Sequence, residues 1–460
     1  MKFNSNRRRF QCDSASWLNS KHMPNSMKSA RILLSTFGSF GDIHPFLAIA
    51  KELQSRGHIP TIATCALYRE KIEAENIRFH AMRPDLPPKE EWDEFIPQIT
   101  NARSGTQFLF QKYLMPALRD GYQDLLPAAQ ETDFIVNHSI VFAGPLVAQK
   151  LNKPWLGTAL APLAFWSIQD PPLPPLLPMN ARYYNWPKPY HQLVRKIARR
   201  VSLKWVQPVV QFRKELGLPR GAHPIFDDPF AARGVLALFS QELASPQSDW
   251  PANTVQTGAC LYDQKGEGFG EAEYSGALSP AIKEFLQAGE APLVFTLGSS
   301  AVFDAHNFYE ESLQAAIQLK KRALFLIGEE TNRPKKLPQN TTQFAAFEYA
   351  PYSEILPRAS IIIHSGGAGT TDQTLRAGVP SLVMPFTNDQ PDNAMRLQRR
   401  GIARAIAKRK YSASSAAREL KMILDDSSYA TRAKEIGARV RKENGAKTAV
   451  DAIEYELNRL

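Results

Sequence analysis

Residues 361–374, IIIHSGGAGTTDQT, place a histidine, three glycines and paired hydroxyls directly behind a β-branched run. A short run of Ile and Val reads as a buried parallel strand. Gly366, Gly367 and Gly369 then permit a tight turn and a close backbone approach, because no Cβ stands in the way. A helix opening near Thr370 and Thr371 aims unpaired N–H groups and the positive end of its dipole at an anion. The chemistry that fits is phosphate binding, although glycine-rich strand-to-helix turns also occur where nothing binds. No lysine follows the glycines as in a P-loop, and the GxGxxG spacing of a dinucleotide site is missing. Downstream, a helix ends at Gly378, a strand runs from Ser381 to Met384, and Asp389 and Gln390 set a carboxylate beside an amide.

A second group of reactive side chains lies near the start of the chain, in GSFGDIHP. Asp42 falls at a strand end and a helix start, in the crevice where open α/β sheets take ligands. Its type leaves two readings open, a proton acceptor or a helix N-cap. Aspartate is a weak base, with a reference pKa of about 3.9, so proton removal by Asp42 requires concerted chemistry or burial. His44, with a reference value of about 6.5, is a rival base or a solvent-facing helix-start side chain. His138, at the end of DFIVNHS, is a third candidate on the border of the same crevice.

These side chains need a framework of alternating strands and helices. ARILLSTF, the glycine turn, FLAIAKELQSRGH and PTIATCA form a βαβ opening. Phe46, Leu47, Ile49, Ala50 and Leu53 share one helical face, with Lys51, Glu52, Gln54 and Arg56 opposite and Gly57 as the stop. DFIVNHS and KPWLGTAL add parallel strands around a helix beginning near Gly144. Residues 171–190 hold too many prolines for regular structure. A loop of that length suits either an apolar ligand or an Ω-like turn packed on itself. After it, Val194, Ile197, Ala198, Val201 and Trp205 recur at helical spacing among Arg195, Lys196, Arg199, Arg200 and Lys204. That pattern suits a helix on anionic lipid or an ordinary core stripe with a solvated charged face. Residues 245–270 mix turn residues with one short strand and read as a connection. A second α/β unit follows through APLVFTLGSS and RALFLIG.

With 460 residues the chain suits two domains of roughly 200 residues each. Cys12, Cys65 and Cys260 lie far apart, without the spacing of a disulfide framework or zinc site, which fits a reducing cytoplasm. The net charge is +11, and residues 1–28 hold six basic residues against the single acid Asp13. That polar leader lacks the apolar stretch of a secretory signal and reads as a disordered tail. No run approaches the roughly 18 apolar residues that span a bilayer, so any membrane contact is expected to be peripheral.

Residues 349–393, YAPYSEILPRASIIIHSGGAGTTDQTLRAGVPSLVMPFTNDQPDN, resemble the donor-binding signature of family 1 glycosyltransferases, the UDP-sugar-dependent enzymes of GT-B fold. HSGGAGTT is similar to the form in bacterial sterol, macrolide, glycopeptide and rhamnolipid glycosyltransferases. The resemblance implies two Rossmann-like domains facing across a cleft: 29–244 for the acceptor and 271–435 for the nucleotide sugar, with a linker at 245–270. Residues 436–460 would form a helix crossing back to the first domain.

It further implies an inverting, metal-independent transfer of a hexose, with no cofactor beyond the nucleotide-sugar cosubstrate. Asp42 takes the position of the catalytic acidic residue. Backbone N–H groups of Gly369 and Thr370, the Thr370 and Thr371 hydroxyls, His364 and Ser299 in the LGSS turn stand at the diphosphate. Tyr349 stands where a ring stacks on the base, Asp372 where a Glu contacts ribose, and Asp389 and Gln390 where the sugar hydroxyls bind. His138, Trp166, Tyr184 and Trp186 are expected to line an apolar acceptor, a lipid, sterol-like or polyketide aglycone. UDP is favoured over TDP. A reading of another class is a catalytically silent GT-B protein that activates a partner transferase; it should have lost the donor motif or the base, and this chain retains both. A sugar-nucleotide 2-epimerase shares the fold, though GxxGDxxP with the Asp-Gln pair looks like a transferase. The expected location is cytoplasmic, at most peripheral on the inner membrane face, with no nucleic-acid partner; the sequence leaves the oligomeric state open.

Overall fold

The structure is a computed structural model and describes residues 28–175, 177–262, 278–337 and 339–460. The leader expected at 1–28, save its last residue, lies outside the described residues, as do 263–270 of the expected linker and the first seven residues of the expected second domain. Two parallel sheets organise the rest. The first holds β1 (Arg31–Ser35), β2 (Ile59–Thr64), β3 (Arg78–Ala81), β4 (Phe134–His138), β5 (Trp155–Ala159), β6 (Val235–Ala237) and β7 (Thr254–Gln256). Their spatial order is β3-β2-β1-β4-β5-β6-β7. The second holds β8 (Leu293–Thr296), β9 (Ala323–Leu326), β10 (Phe344–Phe347), β11 (Ile361–His364), β12 (Ser381–Val383) and β13 (Ala403–Ala405), in the order β10-β9-β8-β11-β12-β13.

Every pairing is parallel. Sheets of this kind are covered on both faces, which explains why Ile32, Leu33 and Leu34 in β1 and Ile361, Ile362 and Ile363 in β11 are all buried. The strand order reverses between β1 and β4 in one half and between β8 and β11 in the other. These are the switch points at which doubly wound sheets open a crevice at their carboxyl ends.

The opening helix, Phe40–Ser55, buries Phe46, Leu47, Ile49, Ala50 and Leu53 against β1 and its neighbours. It ends where Gly57 takes φ +84°, a left-handed conformation that favours glycine. β7 pairs with β6 through Thr254, Val255 and Gln256, so the first sheet extends past residue 244, where the sequence suggested that the connection begins. A helix at Ser428–Val440 runs across the boundary expected at 435, and the last helix is Gly445–Leu457. That terminal helix packs on the opening helix and sends Ala449, Val450, Ala452 and Ile453 into the first core. Arg56 bonds Asp451 and Glu454, each at 2.7 Å, and His58 lies 3.2 Å from Glu454.

The docking is tight at its start. A Cβ added to Gly445 would lie 2.3 Å from the Ala259 carbonyl oxygen, and backbone cannot move aside as a side chain can. Gly445→Ala is therefore expected to cost about 1–3 kcal/mol, in the range of overpacked sites, and to lower the melting temperature by a few degrees; a thermal melt checks it.

In the helix Lys188–Trp205 the apolar row read from the sequence is split: Val194, Ala198 and Trp205 are half-buried, Trp205 against the first core. The buried positions of the helix are His191 and Ser202, while Ile197 and Val201 face solvent. No helix of the described residues is long and apolar enough to cross a membrane.

Candidate active site

After β1 the chain turns through Gly38, whose φ is +137°. A Cβ there would meet Asp42 Oδ2 at 2.2 Å, so glycine lets the carboxylate fold back over the turn. Ser39 is the N-cap: its backbone N–H donates to Asp42 Oδ2 at 2.8 Å and its Oγ accepts from Gly41 N–H at 3.3 Å. Asp42 is thus the third helical residue of a capping box, not the N-cap its position suggested. One oxygen is held by the cap. The other, Oδ1, lies 3.5 Å from His138 Nε2 at the end of β4.

His138 Nδ1 accepts the Ile140 N–H at 3.3 Å, which assigns the ring proton to Nε2, facing Asp42. Burial holds this imidazole neutral by lowering its pKa to about 3. Asp42 moves the other way: burial, helped by the Asp389 charge and opposed by the Ser39 bonds, pushes it up to about 7. Its side chain is still 29% exposed, so the carboxylate remains reachable.

The other half supplies the glycine turn. β11 ends on His364, fully buried, whose Nδ1 accepts the Gly366 N–H at 3.0 Å. The proton therefore sits on Nε2, a buried donor with no hydrogen-bond partner among the described residues, on a ring that burial keeps neutral at a pKa of about 3. Gly366 takes φ +86°, and a Cβ on it would lie 2.9 Å from Val383 Cγ1 and 3.0 Å from the Gln390 carbonyl oxygen. Gly367 is the N-cap of the helix Ala368–Ala377, and its Cβ direction is open.

Inside that helix, Thr371 is buried with Oγ1 unpaired among the described residues, and Thr370 bonds the Tyr352 hydroxyl. The turn after β8 closes the same crevice, since Gly298, at φ +73°, directs its Cβ position to 3.2 Å from Thr370 Oγ1. Ser299 follows in the same short helix. Ser365 Oγ donates to the Leu297 carbonyl at 2.9 Å, joining the ends of β8 and β11.

The two crevices meet. A Cβ on Gly369 would stand 3.6 Å from Gly41 Cα, so the two helix N-termini touch where neither carries a side chain. Asp389 joins them from a third direction. It accepts from Asn393 Nδ2 at 2.8 Å and from the Ala368 N–H at the start of the glycine-loop helix. Burial nonetheless raises its pKa to about 6. Gln390 commits Oε1 to the Phe386 N–H at 2.9 Å.

Other residues singled out in the sequence lie elsewhere. His44 is two positions from Asp42, about 200° round the helix, so it faces away. It stacks on Phe40 at 5.1 Å, meets Tyr262 at 5.2 Å, and burial lowers its pKa to about 3. Asp372 is buried against the first half, held by the Ser240 N–H, and burial raises its pKa with Glu443 nearby. Tyr349 is half-buried, close enough to interact with Tyr262.

Trp166 packs against Phe226, with ring centroids 5.1 Å apart and planes tilted by 43°. Tyr184 lies under the Arg399 guanidinium at 4.1 Å, and Trp186 stands outside against Tyr183 and Tyr190. The reason is a charged anchor that sequence reasoning missed. Arg396, buried on the helix Gln390–Arg399, bonds Asp392 at 2.8 Å and pairs with Asp170. Leu173 N–H donates to Asp392 Oδ1 at 2.8 Å, which draws the proline-rich loop onto that helix. The four-residue spacing of Asp392 and Arg396 was a readable signal; Asp170 was not.

Similarity to known proteins agrees with this arrangement at both ends of the chain. Residues 32–116 match the model of the glycosyltransferase family 28 N-terminal domain, and residues 316–457 that of the erythromycin biosynthesis protein CIII-like C-terminal domain. The chain is 29% identical to the O-mycaminosyltylonolide 6-deoxyallosyltransferase of Streptomyces fradiae, over 92% of this chain and 97% of that protein. It is 26% identical to a sterol 3-beta-glucosyltransferase of Debaryomyces hansenii, over 93% of this chain but 27% of that much longer protein. Among solved structures, the kitacinnamycin glycotransferase superposes with a TM-score of 0.65 at 19% identity, covering 93% of this chain and 99% of that one. Glycosyltransferase VinC in complex with DTDP gives 0.65 at 17%, covering 94% and 100%. The shared fold is GT-B.

Proposed function

The chain belongs to the family 1 glycosyltransferases, and we propose that it transfers a hexose from a UDP-sugar or TDP-sugar, with inversion and without a metal, to a hydroxyl of an apolar acceptor. The observation that supports this best is the meeting of the two switch-point crevices at Gly41 and Gly369, with Asp42 on one side and the glycine turn on the other. In this reading Asp42 Oδ1 takes the proton of the acceptor hydroxyl as its oxygen bonds the anomeric carbon. The bond from that carbon to the diphosphate breaks on the opposite face, and the nucleoside diphosphate leaves with the electron pair.

Each neighbouring group has a part in the same reading. His138 Nε2–H orients the carboxylate and stabilises its charged form. The His364 Nε2–H, the Thr371 hydroxyl and the N–H groups opening the helix Ala368–Ala377 receive the charge that develops on the leaving diphosphate. Asp389 and Gln390 hold sugar hydroxyls, Ser299 borders the phosphates and Tyr349 stacks on the base. The acceptor class follows from the relatives: a macrolide-like or sterol-like ring system is the first to try.

Ligand linkage tests the donor half directly. A ligand that binds only the folded state at about 100 times its Kd adds about 2.7 kcal/mol, so UDP or TDP should raise the melting temperature measurably. A panel of UDP, TDP and their sugars that leaves the melt unmoved would sink the donor assignment.

A further inference from the structure

Between residues 186 and 201 the chain exposes five of the eleven large apolar side chains that face solvent among the described residues. Leu193, Ile197 and Val201 form one row at four-residue spacing, exposed by 53%, 54% and 45%, and Tyr190 extends it towards Trp186. Side chains four apart stand above one another on a helix, so these make a continuous ridge. Lys196, Arg200 and Lys204 form a second row of the same spacing alongside. The helix Lys188–Trp205 contains no Asp or Glu. Of its basic residues only Arg199 forms an ion pair among the described residues, with Asp227 at 2.6 Å; the three in the row have none. The opposite face, at His191 and Ser202, is buried in the first half.

A ridge of this kind flanked by unpaired cations is complementary to a surface that is negatively charged outside and apolar beneath. We propose that the helix Lys188–Trp205 seats the protein on an anionic lipid surface. The Leu193, Ile197 and Val201 row enters the acyl boundary, and Lys196, Arg200 and Lys204 lie among the headgroups. A second copy of the chain would have to bring an acidic, apolar face to the same ridge, and the cationic row disfavours it. The proposal stands on this surface alone and is independent of the donor and acceptor assigned above.

Co-sedimentation of the full chain with vesicles of phosphatidylglycerol and phosphatidylcholine, against vesicles of phosphatidylcholine alone, tests it. The expected result is pelleting with the anionic vesicles only, weakened by raised salt. Each basic residue near an anionic surface contributes about fivefold in partitioning. Lys196→Glu, Arg200→Glu and Lys204→Glu together should therefore lose roughly a hundredfold or more, and Leu193→Ser, Ile197→Ser and Val201→Ser together a comparable amount. Both triple variants alter exposed positions, so their melting temperatures and nucleotide-induced stabilisation should match the parent. No pelleting of the parent overturns the proposal. So does pelleting that survives in both variants, which would place the contact elsewhere on the chain. A concentration-dependent dimer that the serine variant abolishes, without vesicle binding by the parent, assigns the ridge to a second copy instead.

Discussion

Asp42→Asn is expected to lower turnover by about 100- to 10,000-fold, the range for removing a positioned general base, while UDP or TDP still raises the melting temperature. The substitution is nearly isosteric. An amide oxygen can still accept the Ser39 N–H that now bonds Oδ2, so the capping box survives, but no group remains to take the acceptor proton. The same residue sets a pH dependence. Burial raises Asp42 to about 7, and the base works only when deprotonated. kcat/KM should therefore rise with pH through about 7, falling roughly tenfold per unit on the acid side. His44 cannot substitute, because it points into the Phe40 and Tyr262 rings. A variant that retains near-parental rates, or a profile flat between pH 5 and 8, would remove Asp42 from the chemistry.

Arg396→Ala should destabilise this framework by about 3–5 kcal/mol. The guanidinium is 1% exposed between Asp392, fully buried, and Asp170. Its removal leaves the buried Asp392 carboxylate with no counter-charge and Asp170 with Arg399 alone, at 3.0 Å. Tethering would suffer with stability, since this residue holds the 170–184 loop against the helix that begins at Gln390. A urea or thermal melt reads the first effect, and a raised KM for the donor in any folded fraction reads the second. A melting temperature within a degree of the parent would show that the ion pairs contribute nothing net.

Local chemistry was more legible than partnership. The strand, the glycines and the hydroxyls of 361–371 announce an anion site because strand burial and turn geometry are short-range properties. The opening helix likewise placed its five core residues from periodicity alone. Even the capping box could be read, since Ser39 and Asp42 have the S-x-x-D spacing. What the sequence did not carry was which distant groups meet. The 3.5 Å approach of His138 to Asp42 depends on β4 lying beside β1, and the Asp170 to Arg396 pair spans the two halves. The contact of Tyr184 with Arg399 was unreadable for the same reason, since it depends on the ion pairs that draw the loop onto the helix Gln390–Arg399. The helix Lys188–Trp205 left two readings open because it has two apolar rows, of which the one containing Ile197 and Val201 faces out.

The central claim, sugar transfer with Asp42 as base opposite the glycine turn, is tested most directly by one paired assay. Parent and Asp42→Asn are incubated with UDP- and TDP-hexoses and a mixture of macrolide and sterol alcohols, and nucleoside diphosphate and glycosylated product are quantified together. The expected result is equimolar diphosphate and product from the parent, a product anomer opposite to that of the donor, and almost neither from the variant. Product formed equally by both proteins, or none by the parent with any donor, would contradict it.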